Sequence, residues 1–95
     1  MPAVIARRLV IRGRVQGVGF RQATVSAAAS CGVDGWVRNR VDGSVEAYLQ
    51  GDAEAVARAI AWCRRGPPAA RVTTVDVAEL APAEDCRGFR LLPTQ

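Results

Sequence analysis

The spacing of apolar residues along this chain changes between the period of two that is typical of strands and the spacing that is typical of helices. These changes predict the order of its strands and helices. Leu9 and Ile11 alternate with residues of the opposite face, a period of two that predicts a strand with one buried face. The alanine-rich residues 20–31 predict a helix that ends at Gly32. The packing stripe expected on this helix consists of Val25, Ala28 and Ala29.

The next two strand-like runs are joined by the dipeptide Asp42-Gly43, a strong signal for a tight turn between paired strands. Residues 35–40 precede the turn, with Asn39 near the end of the expected strand. Residues 45–50 follow the turn and alternate in the same way. The two runs therefore predict a β-hairpin.

A second helix is expected between Asp52, a favourable N-cap residue, and about Arg64. Its buried face is expected to consist of Val56, Ile60 and Cys63, at i, i+4 and i+7. Residues 71–80 alternate again and predict a strand, and residues 89–92 predict a short last one. One face of the strand at 71–80 is expected to carry Thr73, Val75 and Val77.

The resulting order is strand, helix, strand, strand, helix, strand, with a short extra strand at the end. Two split βαβ units of this kind predict a ferredoxin-like α/β sandwich. We expect an antiparallel sheet of four to five strands with both helices on one face. A chain of 95 residues has room for a modest core, so residues 1–95 are predicted to form one domain.

Composition narrows the kinds of site that the chain can hold. All 13 basic side chains are arginines, and the net charge of +4 favours anionic partners such as nucleic acid or phosphate-bearing metabolites. There is no histidine, and the three cysteines are far apart in the sequence. Histidine-dependent triads are therefore excluded, and neither a zinc site nor a disulfide framework is expected. We expect no metal and no cofactor.

The N-terminal sequence lacks the features of a signal peptide, and no apolar run reaches 18 residues. The expected location is the cytoplasm.

The sequence RVQGVGFR, residues 14–21, lies between the first strand and the first helix. Its two glycines allow the backbone to curl, so that successive N–H groups converge on an anion near the positive end of the helix. Arg21 adds a planar, permanent charge that matches phosphate oxygens. The loop expected to bind phosphate comprises Gln16, Gly17, Val18, Gly19, Phe20 and Arg21. A tight structural turn followed by a solvated arginine explains the same residues.

If this loop is catalytic, water must be the nucleophile, because the loop contains no cysteine, serine, aspartate or histidine. Water attack without a general base requires a good leaving group, and a carboxylate leaves phosphorus as a stable anion. Such a site therefore suits acyl phosphates. Asn39 is a candidate for orienting the water, because an amide both donates and accepts hydrogen bonds. A structural asparagine at the end of a strand remains the alternative.

Three segments together resemble the acylphosphatase family: RGRVQGVGFRQAT (12–24), GWVRNRVDGSVEAYLQG (35–51) and GPPAARV (66–72). The resemblance implies a ferredoxin-like enzyme that hydrolyses the carboxyl-phosphate bond without metal or cofactor. It implies that Arg21 and the loop amides bind phosphate and that Asn39 positions the attacking water. It further implies that Phe20 anchors the loop and that Thr24 supports it from behind. The last strand departs from the aromatic-rich ending common in the family, so it is expected to be short.

Two other functions fit the same fold. A non-catalytic phosphate-sensing domain needs the loop and Arg21 but not a water-positioning amide. An RNA-binding module of this fold stacks bases on aromatic residues of its central strands, where only Tyr48 is available here. We therefore expect a small-molecule acyl phosphate as substrate and inorganic phosphate as product, with no nucleic acid or membrane partner. A monomer is expected, and Arg38 and Arg40 are expected on a solvated strand face.

Overall fold

The computed structural model describes residues 3–95, and its elements follow the order that the apolar periods predict. Met1 and Pro2 belong to the expected domain 1–95 and to the stretch considered for a signal peptide, and they lie outside the described residues. The elements are β1 (Val4–Arg14), α1 (Phe20–Cys31), β2 (Asp34–Asn39), β3 (Val45–Asp52), α2 (Ala53–Arg65), β4 (Arg71–Leu80) and β5 (Phe89–Leu91).

The strands form one sheet in the order β4-β1-β3-β2-β5. The β1–β3, β1–β4 and β2–β3 pairs are antiparallel, whereas β5 runs parallel to β2. β4 ends at the same end of the sheet at which β2 begins. Residues 81–88 connect β4 to β5 along this end of the sheet, so β5 runs in the same direction as β2. The ferredoxin-like architecture is confirmed, with a mixed sheet whose last strand is short.

Both helices pack on one face of the sheet and share a single core with it. The face of α1 differs from the predicted stripe, because Ala29 is exposed and Val25 only partly buried. The buried residues of α1 are instead Phe20, Thr24 and Ala28. Burial of the large Phe20 ring turns the helix so that every fourth residue after it faces the sheet. The Thr24 hydroxyl tolerates burial because it donates to the Phe20 carbonyl at 2.7 Å.

The second helix follows its prediction closely. Val56 and Cys63 are buried and Ile60 is partly buried against the core. Asp52 occupies the N-cap position, but its side chain makes no capping hydrogen bond. Neither helix of the described chain is long and apolar enough to cross a membrane.

The edge strand β4 contains an irregularity that the alternation did not predict. Its register with β1 shifts between Arg12 and Gly13. Beyond the shift, Val72 packs against the core and Thr73 is exposed, its hydroxyl donating to the Arg12 carbonyl at 3.0 Å. A β-bulge inserts one extra residue into a strand. The residues beyond the bulge therefore point to the opposite face of the sheet from the one that strict alternation predicts.

The face of the sheet opposite the helices contains a buried carboxylate between two arginines. Glu46 is 4% exposed, and its two oxygens accept hydrogen bonds from Arg8 Nε at 2.5 Å and Arg38 Nε at 2.7 Å. The Arg38 guanidinium also lies 4.8 Å from the centre of the Trp36 ring. Burial of Glu46 opposes ionisation, but the bonds from Arg38 and Arg8 outweigh it, so the pKa of this carboxyl lies below its ordinary value.

Replacing this carboxylate should destabilise the fold in a pH-dependent way. Glu46→Gln is expected to lower the free energy of unfolding at pH 7 by about 1–2 kcal/mol, because one of the two charge-assisted bonds loses its acceptor and the other loses the charge of its acceptor. Since the folded-state pKa is depressed, this stabilisation is complete above the unfolded-state pKa of about 4.3 and is lost as the pH falls through the folded value. Urea denaturation of both proteins at pH 7 and in acid measures the difference.

Glu79→Gln is the matched control. Glu79 lies 3.5 Å from Arg7 and its side chain is 83% exposed. Its replacement should change stability by less than about 0.5 kcal/mol. Equal losses in the two variants, or a Glu46 effect that does not shrink in acid, would contradict this account of the buried carboxylate.

Candidate active site

The loop between β1 and α1 is held at both ends by buried side chains. Val15 and Phe20 are each 1% exposed, and the Phe20 ring lies against Trp62 with ring centroids 5.6 Å apart. Between these anchors, Gly17 and Gly19 adopt left-handed conformations with φ of 73° and 77°. A Cβ at either glycine would meet no atom within 4 Å, so the backbone torsion alone favours glycine there.

The backbone N–H groups of this loop have no hydrogen-bond acceptor in the described part of the chain. Those of residues 16–22, seven in succession, make no hydrogen bond within residues 3–95. The first bond of α1 runs from the Ala23 N–H to the Gly19 carbonyl at 3.1 Å, and Gly19 at the N-cap offers no side-chain acceptor. With no acidic residue in the first turn of α1, these donors and the helix dipole leave a positive potential at the start of the helix, which favours a negatively charged ligand.

A cavity of about 250 Å³ lies in front of these donors. It is lined by Val15, Gly17, Gly19, Phe20, Arg21, Gln22, Asn39 and Leu91. Arg21 is partly buried and forms no ion pair or hydrogen bond within residues 3–95, whereas Arg8, Arg12 and Arg38 each bind a carboxylate. The charge of Arg21 is therefore available to an anion in the cavity.

Asn39 reaches the same cavity from the end of β2, where it lies opposite Val45 of β3. Its Oδ1 atom is buried and has no hydrogen-bond partner in the described part of the chain. Leaving a buried polar atom unsatisfied costs about 1–3 kcal/mol, so such an atom calls for a specific explanation. A water or substrate oxygen held in the cavity provides one.

The side chain of Gln16 makes contacts that the sequence did not predict. Gln16 was predicted only as a member of the loop, through its backbone. Its Nε2 donates to the Arg40 carbonyl at 2.8 Å and to the Ser44 carbonyl at 2.9 Å. These bonds tie the loop to the hairpin that carries Asn39. No short-range pattern signals them, because they join residues 24 and 28 positions apart.

The remaining predicted site residues lie around the cavity rather than in it. Val18 packs against the core and Thr24 is buried behind the loop; neither lines the cavity. The sequence analysis missed Gln22 and Leu91, which do line it. Gln22 follows Arg21 directly and could have been included, but Leu91 enters only through the parallel pairing of β5 with β2.

Arg38 does not lie on a solvated strand face, so that prediction is wrong. Its side chain is 24% exposed and pairs with Glu46 on the face of the sheet opposite the helices. Residues of a strand alternate between faces, so Arg38 points away from the cavity that its neighbour Asn39 lines. Arg40 does not line the cavity either.

The three cysteines lie outside the cavity lining. Cys63 is 1% exposed, and burial, with a smaller effect of Cys31, raises the pKa of its thiol to about 12. Burial also raises the pKa of Cys86, with a smaller contribution from Asp34. Within residues 3–95, no group of three or more histidine, cysteine, aspartate or glutamate residues is placed to hold a metal ion. The donors at the cavity are therefore amides and one guanidinium.

A family model for acylphosphatase matches residues 7–91 of the chain. An acylphosphatase of Rhizorhabdus wittichii is 54% identical over 93 residues, which cover 98% of this chain and 93% of that protein. The crystal structure of an acylphosphatase from Bacillus subtilis superimposes with a TM-score of 0.89 at 34% identity, over 93% of this chain and 98% of that one. The structure of an acylphosphatase from Coxiella burnetii gives a TM-score of 0.88 at 31% identity, over 94% and 93% of the two chains.

Removing the Gln16 side chain should loosen the loop and weaken anion binding. Gln16→Met keeps the length of the side chain but loses both N–H···O bonds, and it is expected to weaken binding of inorganic phosphate about tenfold. Isothermal titration calorimetry with phosphate measures this change.

Gln50→Met is the matched control, since Gln50 Nε2 also donates to a backbone carbonyl, that of Ala83, at 2.8 Å. This variant should keep the phosphate affinity of the wild type. Unchanged affinity in Gln16→Met, or the same loss in both variants, would show that the Gln16 bridge does not shape the site.

Proposed function

The chain belongs to the acylphosphatase family and has the activity of that family, and we propose that the cavity at the start of α1 is where it hydrolyses acyl phosphates. The substrate is a small-molecule acyl phosphate and one product is inorganic phosphate. In this proposal the residues of the cavity divide into a phosphate-binding group and a water-positioning group.

The phosphate group binds to N–H groups of the loop, of which Gly17, Gly19, Phe20 and Arg21 line the cavity, and to the side chain of Arg21. Seven donors without acceptors in residues 3–95 match the several oxygens of a phosphate, and the helix dipole adds roughly half an elementary charge. The planar guanidinium of Arg21 binds two oxygens at once. Because these donors are held in place before the substrate arrives, they stabilise the charge of the transition state without reorganising.

Asn39 holds the attacking water. Its amide accepts a hydrogen bond from the water through Oδ1 and bears no charge that would repel the anionic substrate. The water oxygen forms a bond to phosphorus as the bond from phosphorus to the acyl oxygen breaks. The electron pair leaves with the carboxylate, and one water proton passes to a phosphate oxygen. No acid catalyst is required, because the carboxylate is stable as an anion at neutral pH.

The observation that carries this proposal concerns Asn39: its Oδ1 is buried without a partner within residues 3–95, and the residue lines the same cavity as Arg21. A phosphate-sensing domain would need the loop and Arg21 but has no use for this atom. The amide therefore favours an enzyme over a sensor.

We further propose that residues 1–95 act as one domain and as a monomer in the cytoplasm, without metal, cofactor, nucleic acid or membrane. The aromatic residues of the sheet are already engaged, since Trp36 and Tyr48 stack on each other with ring centroids 6.1 Å apart. The Tyr48 hydroxyl also donates to Gln50 Oε1 at 2.6 Å.

Hydrolysis of benzoyl phosphate in the presence of EDTA tests the roles of Arg21 and Asn39. The wild type should turn over rapidly, and Arg21→Ala and Asn39→Ala should each lose at least about 100-fold in kcat, because each removes a preorganised donor or acceptor at the reacting group. Arg21→Lys should remain at least about tenfold below the wild type, since an ammonium cannot bind two oxygens in the same planar way.

The control variant is Arg58→Ala, which removes an exposed arginine of α2 that does not line the cavity. It should keep the wild-type rate. If all proteins hydrolyse benzoyl phosphate at the spontaneous rate, the catalytic proposal is wrong. Retained phosphate binding without turnover would then favour the sensor.

A further inference from the structure

The peptide groups of β2 point alternately to its two neighbours, β3 on one side and β5 on the other. The Arg40 N–H donates to the Ser44 carbonyl at 2.8 Å, within the hairpin. The Val37 carbonyl faces the other edge and accepts from the Leu92 N–H at 2.9 Å. Asn39 lies two residues after Val37, so its peptide group points to the same side of β2 as that of Val37. Its backbone carbonyl is therefore held by the chain that follows β5 and not by the hairpin.

Residues 92–95 continue along β2 beyond the end of β5 and enclose Asn39. The Gln95 N–H donates to the Asn39 carbonyl at 3.1 Å, and the Gln95 carbonyl accepts from the Val41 N–H at 3.0 Å. The Arg38 guanidinium also donates to the Gln95 side-chain oxygen. Gln95 thus contacts the residue before Asn39, Asn39 itself, and the second residue after it.

We propose that Gln95 is a positioning residue for the reaction. Through its backbone N–H it holds the Asn39 peptide so that the side-chain amide of Asn39 stays directed at the cavity. This inference rests on the proposed function of Asn39 in holding the attacking water.

The phosphate-binding loop is anchored by other contacts. Val15 and Phe20 fix its ends in the core, and Gln16 ties it to the hairpin. None of these contacts involves residues 92–95. Loss of the Gln95 contact should therefore displace the water-positioning amide and leave the phosphate donors in place. The expected signature is a lower kcat at constant KM.

Two substitutions at this position separate the backbone contact from the side-chain contact. Gln95→Pro removes the N–H that donates to Asn39 and keeps the carbonyl that accepts from Val41. Gln95→Ala keeps both backbone groups and removes only the acceptor of the Arg38 guanidinium. With benzoyl phosphate, Gln95→Pro should lower kcat roughly tenfold, while KM and inhibition by inorganic phosphate change less than about twofold. Gln95→Ala should turn over like the wild type.

The position of the amide is measured independently of activity. Asn39 is the only asparagine in the chain, so selective asparagine labelling gives one pair of side-chain amide signals in an NMR spectrum. These signals should shift in Gln95→Pro and remain in place in Gln95→Ala. Thermal unfolding of both variants shows whether the fold is retained.

A double mutant distinguishes the failure of this inference from failure of the proposed function. In the Asn39→Ala background, Gln95→Pro should lower kcat no further, because the group that it positions is already absent. An unchanged kcat in Gln95→Pro, or the same loss in the Asn39→Ala background, would overturn the inference. Wild-type turnover in Asn39→Ala would instead overturn the role of Asn39, and the NMR signals would still show whether Gln95 positions its side chain.

Discussion

A run of backbone N–H groups that the chain does not satisfy is the constraint on which the rest of the site depends. The donors of residues 20–22 have no acceptor in residues 3–95 because they begin helix α1, and those of residues 16–19 lie in the loop where Gly17 and Gly19 adopt positive φ. Unsatisfied donors are costly unless solvent or an anion binds them, so the loop must open onto a cavity. The partly buried Arg21 lies beside that cavity and reinforces its preference for an anion.

The fold holds the two halves of the site by separate means. The half that contains the glycine loop is fixed by buried residues at both ends of the loop and by the bridge from Gln16 to the hairpin. The half that contains Asn39 is the end of β2, which lies between the hairpin and the chain that follows β5. The parallel β5 therefore has a direct bearing on the site, because it brings Leu91 to the cavity and Gln95 to Asn39.

Local patterns were sufficient to predict most of the fold and several of the residues that line the cavity. Helix α1, the hairpin and the glycine loop follow from period, turn chemistry and the start of a helix. The buried face of α1 did not follow, because the burial of Phe20 decides which of several small residues face the sheet. The Gln16 bridge, Leu91 and Gln95 could not be predicted, since each depends on contacts between residues that are distant in sequence. The pairing of Arg38 with Glu46 could not be predicted either, because it depends on the pairing of two strands.

We expect one cavity to bind phosphate through the loop amides and to face it with the amide of Asn39. Titration of labelled protein with inorganic phosphate, followed by NMR, would reveal both contacts in one experiment. The backbone amide signals of residues 16–22 and the side-chain amide signals of Asn39 are expected to shift together along one saturation curve. Loop signals that stay in place at saturating phosphate, or shifts confined to the arginine-rich face around Glu46, would contradict this expectation.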